Sequence, residues 1–336
     1  MRLTKPSYFD GFRCVASACP DSCCHQWAVQ VDEQTEEFYR DLPGELGDRL
    51  REALTEEDGD TILRLEDGRC AMWRQDGLCE IQARLGEQAL CRVCREFPRI
   101  RQDYGDVVEL GLEMSCPEAA RIMLSTPDWH LETAEVPGGD EPDYDVDAMA
   151  LLRSTRPGCL EILADPGYSI GEALAILLLY GYAVQEALDG GEMAAFDPRE
   201  ALETARRLAG EANPEGLLAF FRGLEILTED WRRLLDEPGR EDEWFGEIRL
   251  LAQYGVYRYY AQAVSDYDLA GRIKLVIVSC MMAKRLGGGT RETRLRAIQL
   301  YSKEIENDAG NVDSLLDAAY QEPAFADRAI LGFLLK

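Results

Sequence analysis

The stretch Phe12-Arg13-Cys14-Val15-Ala16-Ser17-Ala18-Cys19-Pro20-Asp21-Ser22-Cys23-Cys24 decides how this chain is read. Its four thiols are too dense for an ordinary core segment, and in a reducing compartment such spacing points to metal binding or redox chemistry. Working outward, Cys70-x8-Cys79, Cys91-x2-Cys94 and Cys116-Pro117 follow, so nine of the eleven cysteines lie before residue 117. That crowding marks residues 1–125 as a separate chemical unit. Cys159 and Cys280 fall inside helical patterns and read as small core hydrophobes.

The rest of the composition narrows the function. The 336 residues are 46% hydrophobic and 29% charged, as in a soluble globular protein of two ordinary domains or one large one. A formal net charge of −27 argues against a nucleic-acid backbone or an anionic membrane as the main partner and is compatible with a lysine-bearing protein segment. Met1 to Asp10 contains Lys5, Pro6 and Asp10 and no apolar core, so no secretory signal is expected. The apolar run Ala173 to Val184 is shorter than the roughly 20 residues of a spanning helix and predicts a buried one. A cytoplasmic protein is expected.

The fold class predicted is mainly α. An irregular, cysteine-rich α+β metal-binding domain covers 1–125, a linker covers 126–146 and an all-helical domain covers 147–336. The linker is read from Pro127, Pro137, Gly138, Gly139 and Pro142. In the helical part, Asn213-Pro214 and Asp197-Pro198 are start signals, and Gly210 a stop. Leu217, Phe220, Phe221, Leu224, Leu227, Trp231 and Leu234 repeat at helical spacing after Asn213. Ile248 to Tyr259 and Ile273 to Lys284 mark two further helices, and Thr290 a cap. In the first domain Thr35 to Leu54 has helical signals, Thr61 to Leu65 and Val107 to Leu112 read as short strands, and Asp67-Gly68 and Asp76-Gly77 as turns. A domain this poor in apolar bulk draws stability from bound metal.

Thiolates select zinc, copper(I) or iron–sulfur clusters. With only His25 and His130 in the chain, an all-sulfur site is favoured. A zinc ribbon needs two Cys-x2-Cys knuckles, and this chain has one. The Cys-x3-Cys-x2-Cys of radical methionine chemistry is absent, because residue 26 is Gln. Cys23 and Cys24 can serve one cluster only where the backbone turns tightly.

Several of these residues match a known pattern. Phe12-x-Cys14-x4-Cys19-x-Asp21-Ser22-Cys23-Cys24-x2-Trp27, running on to Val31-Asp32, resembles the opening of the flagellin lysine-N-methylase family. So do Cys70, Gly77-Leu78-Cys79-x-Ile81, Leu85-Gly86-Glu87, Cys94-x2-Phe97-Pro98-Arg99 and Ser115-Cys116-Pro117-Glu118-Ala119-Ala120. The resemblance is specific over residues 12–120 and fainter at Tyr257-Arg258-Tyr259-Tyr260 and the Asp268 to Arg285 helix. The spacing is also similar to the broader Cys-x2-Cys-x2-Cys-Cys metal-chelating proteins, with longer first intervals. The resemblance implies methyl transfer from S-adenosylmethionine to lysines of flagellin, with a [4Fe–4S] cluster in the cysteine-rich part. Cys14, Cys19, Cys23, Cys24, Cys70, Cys79, Cys94 and Cys116 fall on its cysteine pattern as candidate metal ligands; Cys91 is extra. Which four hold the cluster stays open.

That chemistry needs a neutral lysine amine, so the enzyme must desolvate it or take its proton. Candidates close to the cysteine motifs are Asp32, Tyr8, Glu113 and Glu118. The basic island Arg84, Arg92, Arg95, Arg99 and Arg101 suits either the donor's carboxylate or the charge of a thiolate-rich cluster, with Arg99 and then Arg95 the best placed for the donor. No Gly-x-Gly-x-Gly follows a strand, so no Rossmann donor site is read. The rival reading is a non-catalytic zinc- or iron-chelating module whose helical half binds a partner protein; a small redox carrier has little use for so long a helical half.

Overall fold

Side chains written into the sequence set where the helices begin. The structure, a computed structural model, describes residues 1–336 apart from 26, 28, 58 and 238–243. In the N-terminal third the order is β1 (Arg2–Pro6), β2 (Val29–Gln30), α1 (Glu33–Asp41), α2 (Gly44–Ala53), β3 (Leu54–Glu57), β4 (Asp60–Leu63), β5 (Leu65–Glu66) and β6 (Arg69–Cys70). Then come α3 (Glu80–Leu85), α4 (Arg92–Glu96), β7 (Arg99–Asp103), β8 (Val107–Leu112), α5 (Pro117–Met123) and β9 (Leu131–Glu135). The cysteine loop between β1 and β2 holds two short 3₁₀ turns. Thereafter the described residues form helices: α6 (Val146–Ala164), α7 (Ile170–Leu188), α8 (Pro198–Leu208), α9 (Pro214–Gly223) and α10 (Glu229–Asp236). The series ends with α11 (Glu247–Tyr259), α12 (Leu269–Leu286), α13 (Arg291–Tyr301), α14 (Ala309–Gln321) and α15 (Asp327–Leu334). The chain is mainly α, with a helical C-terminal half and strands toward the N-terminus.

Most start signals act as expected. Asp197, Asn213, Asp268 and Thr290 each accept a hydrogen bond from a backbone N–H of the first turn that follows. The periodic run after Asn213 differs: it is two helices, not one. Glu225 N–H donates to Asn311 Oδ1 at 3.1 Å and Leu227 N–H to Glu304 Oε2 at 2.7 Å, so distant acceptors pull the segment off the helical path. Thr228 then caps α10. Thr35 to Leu54 likewise splits into α1 and α2.

The four-stranded sheet runs β7-β8-β1-β9, with β1 parallel to β8 and antiparallel to β9. Strand β8 covers the predicted Val107 to Leu112 and is buried on both faces, which is why it lacks alternation. Strand β9 lies within 126–146, where proline and glycine predict a loop. Its partner is β1, at the other end of the N-terminal third, so no local pattern announces it.

Two hydrophobic cores result. The larger joins the helices to Tyr8, Phe12, Leu112, Met114 and helix α5. Helix α7 lies within it. By length and composition this helix is long and apolar enough to cross a membrane, and 56% of that window is buried inside the protein. The smaller core holds Val29, Tyr39, Leu50, Leu63, Met72 and Ile81, together with Cys70 and Cys91. Gly181 and Gly255 let α7 and α11 lie against α12; a Cβ there would come within 2.9 Å of Ile273 and of Val276 respectively.

The sheet is tied to the helices by a buried ion pair. Arg156 of α6 donates to both carboxylate oxygens of Glu109 in β8, at 2.9 and 2.6 Å, with both side chains less than a tenth exposed. Tyr257 of α11 adds hydrogen bonds to the carbonyls of Thr4 and Leu110. Glu109→Gln removes the counter-charge and leaves the guanidinium buried. Stability is expected to fall by about 3–5 kcal/mol, read from urea denaturation; an unchanged midpoint would contradict this role.

Candidate active site

The cysteine loop, the α3–α4 segment and the α13–α14 junction meet around one cavity of about 760 Å³. Its wall carries the thiols of Cys14, Cys19, Cys23, Cys24, Cys79, Cys94 and Cys116. The first four share the cysteine loop, and the other three arrive on separate pieces of local structure. Cys79 precedes α3, Cys94 lies within α4, and Cys116 precedes α5, whose Pro117 opens the helix. The loop turns tightly at Asp21 and Ser22: Ser22 N–H donates to Asp21 Oδ1, and Cys24 N–H to Ser22 Oγ. This turn lets adjacent Cys23 and Cys24 reach the same cavity. Cys70 and Cys91 are buried in the small core, behind the wall.

Asp21 anchors the loop to the helical half. Its Oδ2 accepts from Arg296 Nη1 at 3.1 Å, Gln299 Nε2 at 3.0 Å and Lys303 Nζ at 3.2 Å. Burial works against the charge. Lys303, the Ser22 amide and Arg296 overcome it and hold the Asp21 carboxyl below the usual range. Gln299 also donates to the Ser115 carbonyl, beside Cys116. Lys303 sits in a single π-helical turn, Ser302–Glu306, at the end of α13. That turn sends Lys303 to the cavity and Glu306 to the tyrosines Tyr254 and Tyr259.

The sulfurs interact with one another. The Cys24 thiol donates toward both Cys23 and Cys79, which lowers those two, Cys79 to about 6, and raises Cys24 itself. Cys94 stands in the same relation to Cys91. Burial pushes Cys70 up to about 11 and Cys116 to about 12. Among the described residues, no three His, Cys, Asp or Glu side chains are closed into a metal-ligand set. The donor set itself, several soft sulfurs on one cavity with no imidazole on its wall, is of the kind that takes a thiophilic metal or an iron–sulfur group.

Arg95 and Arg99 both line the cavity, and the Arg99 guanidinium lies 5.2 Å from the centre of the Phe12 ring. Arg84 and Arg101 are instead paired with Glu80 and Asp103. The candidate proton acceptors are placed elsewhere. Asp32 caps α1, taking hydrogen bonds from the Thr35 amide and hydroxyl, and its Oδ2 accepts from Arg92 N–H at 2.8 Å. Tyr8 is buried against Trp129, and that burial raises its phenol. Glu113 is also raised by burial; it lies behind the wall and accepts from Oγ of Ser115, which lines the cavity. Glu118 pairs with Arg121.

Sequence reasoning missed the wall residues Lys303, Asn307, Asp308 and Leu227, which the helical half contributes far from the cysteines. Glu87, Trp27 and Phe97 also line the wall. All three stand in the quoted motifs, so their signal was present without a role attached. Gly86, at φ +86°, allows the turn that brings Glu87 to the cavity after α3.

Fold and site together define a mainly helical protein with a thiol-lined cavity between its cysteine-rich and helical parts. The flagellar biosynthetic protein FliU of Salmonella muenchen is 31% identical to it over 133 residues, 38% of this chain and 79% of that protein. Lysine-N-methylases of Salmonella typhimurium and Salmonella choleraesuis are also 31% identical over 133 residues, again 38% of this chain. That match spans 33% of each lysine-N-methylase. No family model and no solved structure matches the chain. The chain belongs to the flagellin lysine-N-methylase family.

Because Asp21 fastens the loop, Asp21→Asn is expected to expose its thiols. Alkylation of the half-buried Cys19 and Cys24 at pH 7, followed by mass spectrometry, should quicken at least about tenfold, as expected for losing a charge-assisted bond of roughly 1.5–3 kcal/mol. Equal labelling rates would show that the loop is held by something else.

Proposed function

We propose that the protein transfers methyl groups from S-adenosylmethionine to lysine side chains of flagellin, and that its thiols hold a [4Fe–4S] cluster. The observation that carries this reading is the meeting of cysteines with Arg95 and Arg99 on one cavity of a size usual for small-molecule sites. The names of the relatives, lysine-N-methylase and flagellar biosynthetic protein, support the reaction class and a flagellar substrate. Eleven free cysteines fit a reducing, cytoplasmic compartment.

Cys23, Cys24, Cys79 and Cys94 would hold the cluster. The first three share hydrogen bonds, and Cys94 feels the charges of Cys23 and Cys79. Bound there, the cluster would supply a sulfur cross-link to a lobe whose own apolar core is small. Arg95 and Arg99 would take the donor's carboxylate as guanidinium forks.

An incoming lysine ammonium, with an ordinary pKa of about 10.4, must first give up a proton. Of the three carboxylates among the described wall residues, Asp21 is held by Lys303 and Arg296, and Asp308 caps α14 through Asn311 N–H. Glu87 is the acceptor left for that proton. The amine lone pair then forms the N–C bond while the methyl–sulfur bond breaks and its electron pair leaves on sulfur. Positive charge moves from sulfur to nitrogen, and a second proton is shed to restore the amine.

Anaerobically reconstituted protein incubated with labelled S-adenosylmethionine and flagellin should label flagellin lysines. No transfer from cluster-bearing protein would contradict the reading, and a colourless protein with stoichiometric zinc would favour a chelating module. Glu87→Gln is expected to lower kcat about a hundredfold. Cys24→Ser should lose iron, whereas Cys14→Ser should keep it.

A further inference from the structure

Three rings stand on the wall beside the thiols: Phe12, Trp27 and Phe97. Each lies in a motif quoted for its cysteine or arginine, and none has a part in the chemistry above. Trp27 and Phe97 are 5.5 Å apart, edge to face at 65°. The Trp27 indole N–H donates to the Cys23 carbonyl, so the ring is fixed to the cysteine loop. Phe97 ends α4, its N–H bonded to the Val93 carbonyl. A cation, Arg99, already rests over the third ring, Phe12.

We propose that Trp27 and Phe97 form an aromatic seat for an onium centre, the sulfonium of the methyl donor or the alkylammonium of the target lysine. This rests on the reading of the cavity as a methyl-transfer site and names what that site recognises. Of the three carboxylates among the described wall residues, two are already engaged, by Lys303 and Arg296 and by the start of α14, which leaves Glu87 alone to pair with a cation and gives the rings a part in holding it. The faces of aromatic rings attract cations through their quadrupole. They do so without accepting a proton and without offering a nucleophile to compete for the methyl group. In methyl transfer the positive charge passes from sulfur to nitrogen over a short distance. A ring pair favours both positions, where a single carboxylate would fix one.

The test compares the full-length, reconstituted protein with Trp27→Leu, Phe97→Leu and the conservative Trp27→Phe. Calorimetry measures two ligand pairs that differ in charge. One is S-adenosylmethionine against S-adenosylhomocysteine; the other is a peptide bearing trimethyl-lysine against its neutral tert-butyl isostere. The wild type should prefer the charged member of at least one pair by roughly tenfold. Both leucine variants should bring that preference close to one while leaving the neutral ligand's affinity in place, and Trp27→Phe should retain most of it. A lost preference in the first pair assigns the seat to the sulfonium; in the second, to the lysine. Preferences unchanged by both leucine variants, or absent from the wild type, would overturn the proposal. A wild type that binds neither adenosyl ligand would instead overturn the methyl-transfer reading, with the peptide pair still deciding the seat.

Discussion

The attachment of Asp21 to α13 and the turn after it is the constraint on which the rest of the site depends. The loop from Phe12 to Cys24 has almost no regular structure and few buried residues of its own. Left alone it would sample many conformations at a backbone cost of about 1–2 kcal/mol per ordered residue. One carboxylate gathering a guanidinium, an amide and an ammonium converts it into the wall of a cavity. The three donors are spaced along one helix and its π turn, so the loop is fixed in direction as well as position. Four thiols and Trp27 inherit that order.

A second constraint acts from the other side. The lobe around Tyr39, Leu50 and Met72 buries too little apolar surface to be strongly stable alone, and two of its core positions are occupied by Cys70 and Cys91. Cavity thiols and core thiols therefore belong to one neighbourhood: Cys79 lies close enough to shift both Cys70 and Tyr39. The larger core, by contrast, is a conventional helical one, and the Arg156–Glu109 pair joins it to the sheet that carries Arg99 at its edge. The cavity lies where these two unequal halves meet.

What the sequence made legible follows from range. Helix starts were legible because a cap and its amide are three residues apart, as with Asn213 and Gly216. Strand β8 was legible from its apolar residues Val107, Val108, Leu110 and Leu112, with Glu109 the one charged residue among them. Strand β9 was not, since it is held by backbone bonds to β1, and neither was the break between α9 and α10, which is imposed by Glu304 and Asn311. The convergence of the cysteines was legible as crowding, and Arg95 and Arg99 as a basic island. The identity of the acid on the cavity wall was not: Asp32 looked available but is spent on capping α1, while Glu87 carried no signal beyond its place after Gly86. Lys303 lies 282 residues from Asp21, and nothing local to either announces the pair.

The central claim is that thiols from separate segments converge to hold an iron–sulfur cluster in the cavity that also receives the donor and the lysine. Anomalous diffraction at the iron edge, from crystals of protein prepared without oxygen, tests it most directly. The account predicts a single compact iron peak bounded by Cys23, Cys24, Cys79 and Cys94, facing Arg95 and Arg99. Crystals without iron, or with iron bound away from those four sulfurs, would contradict it.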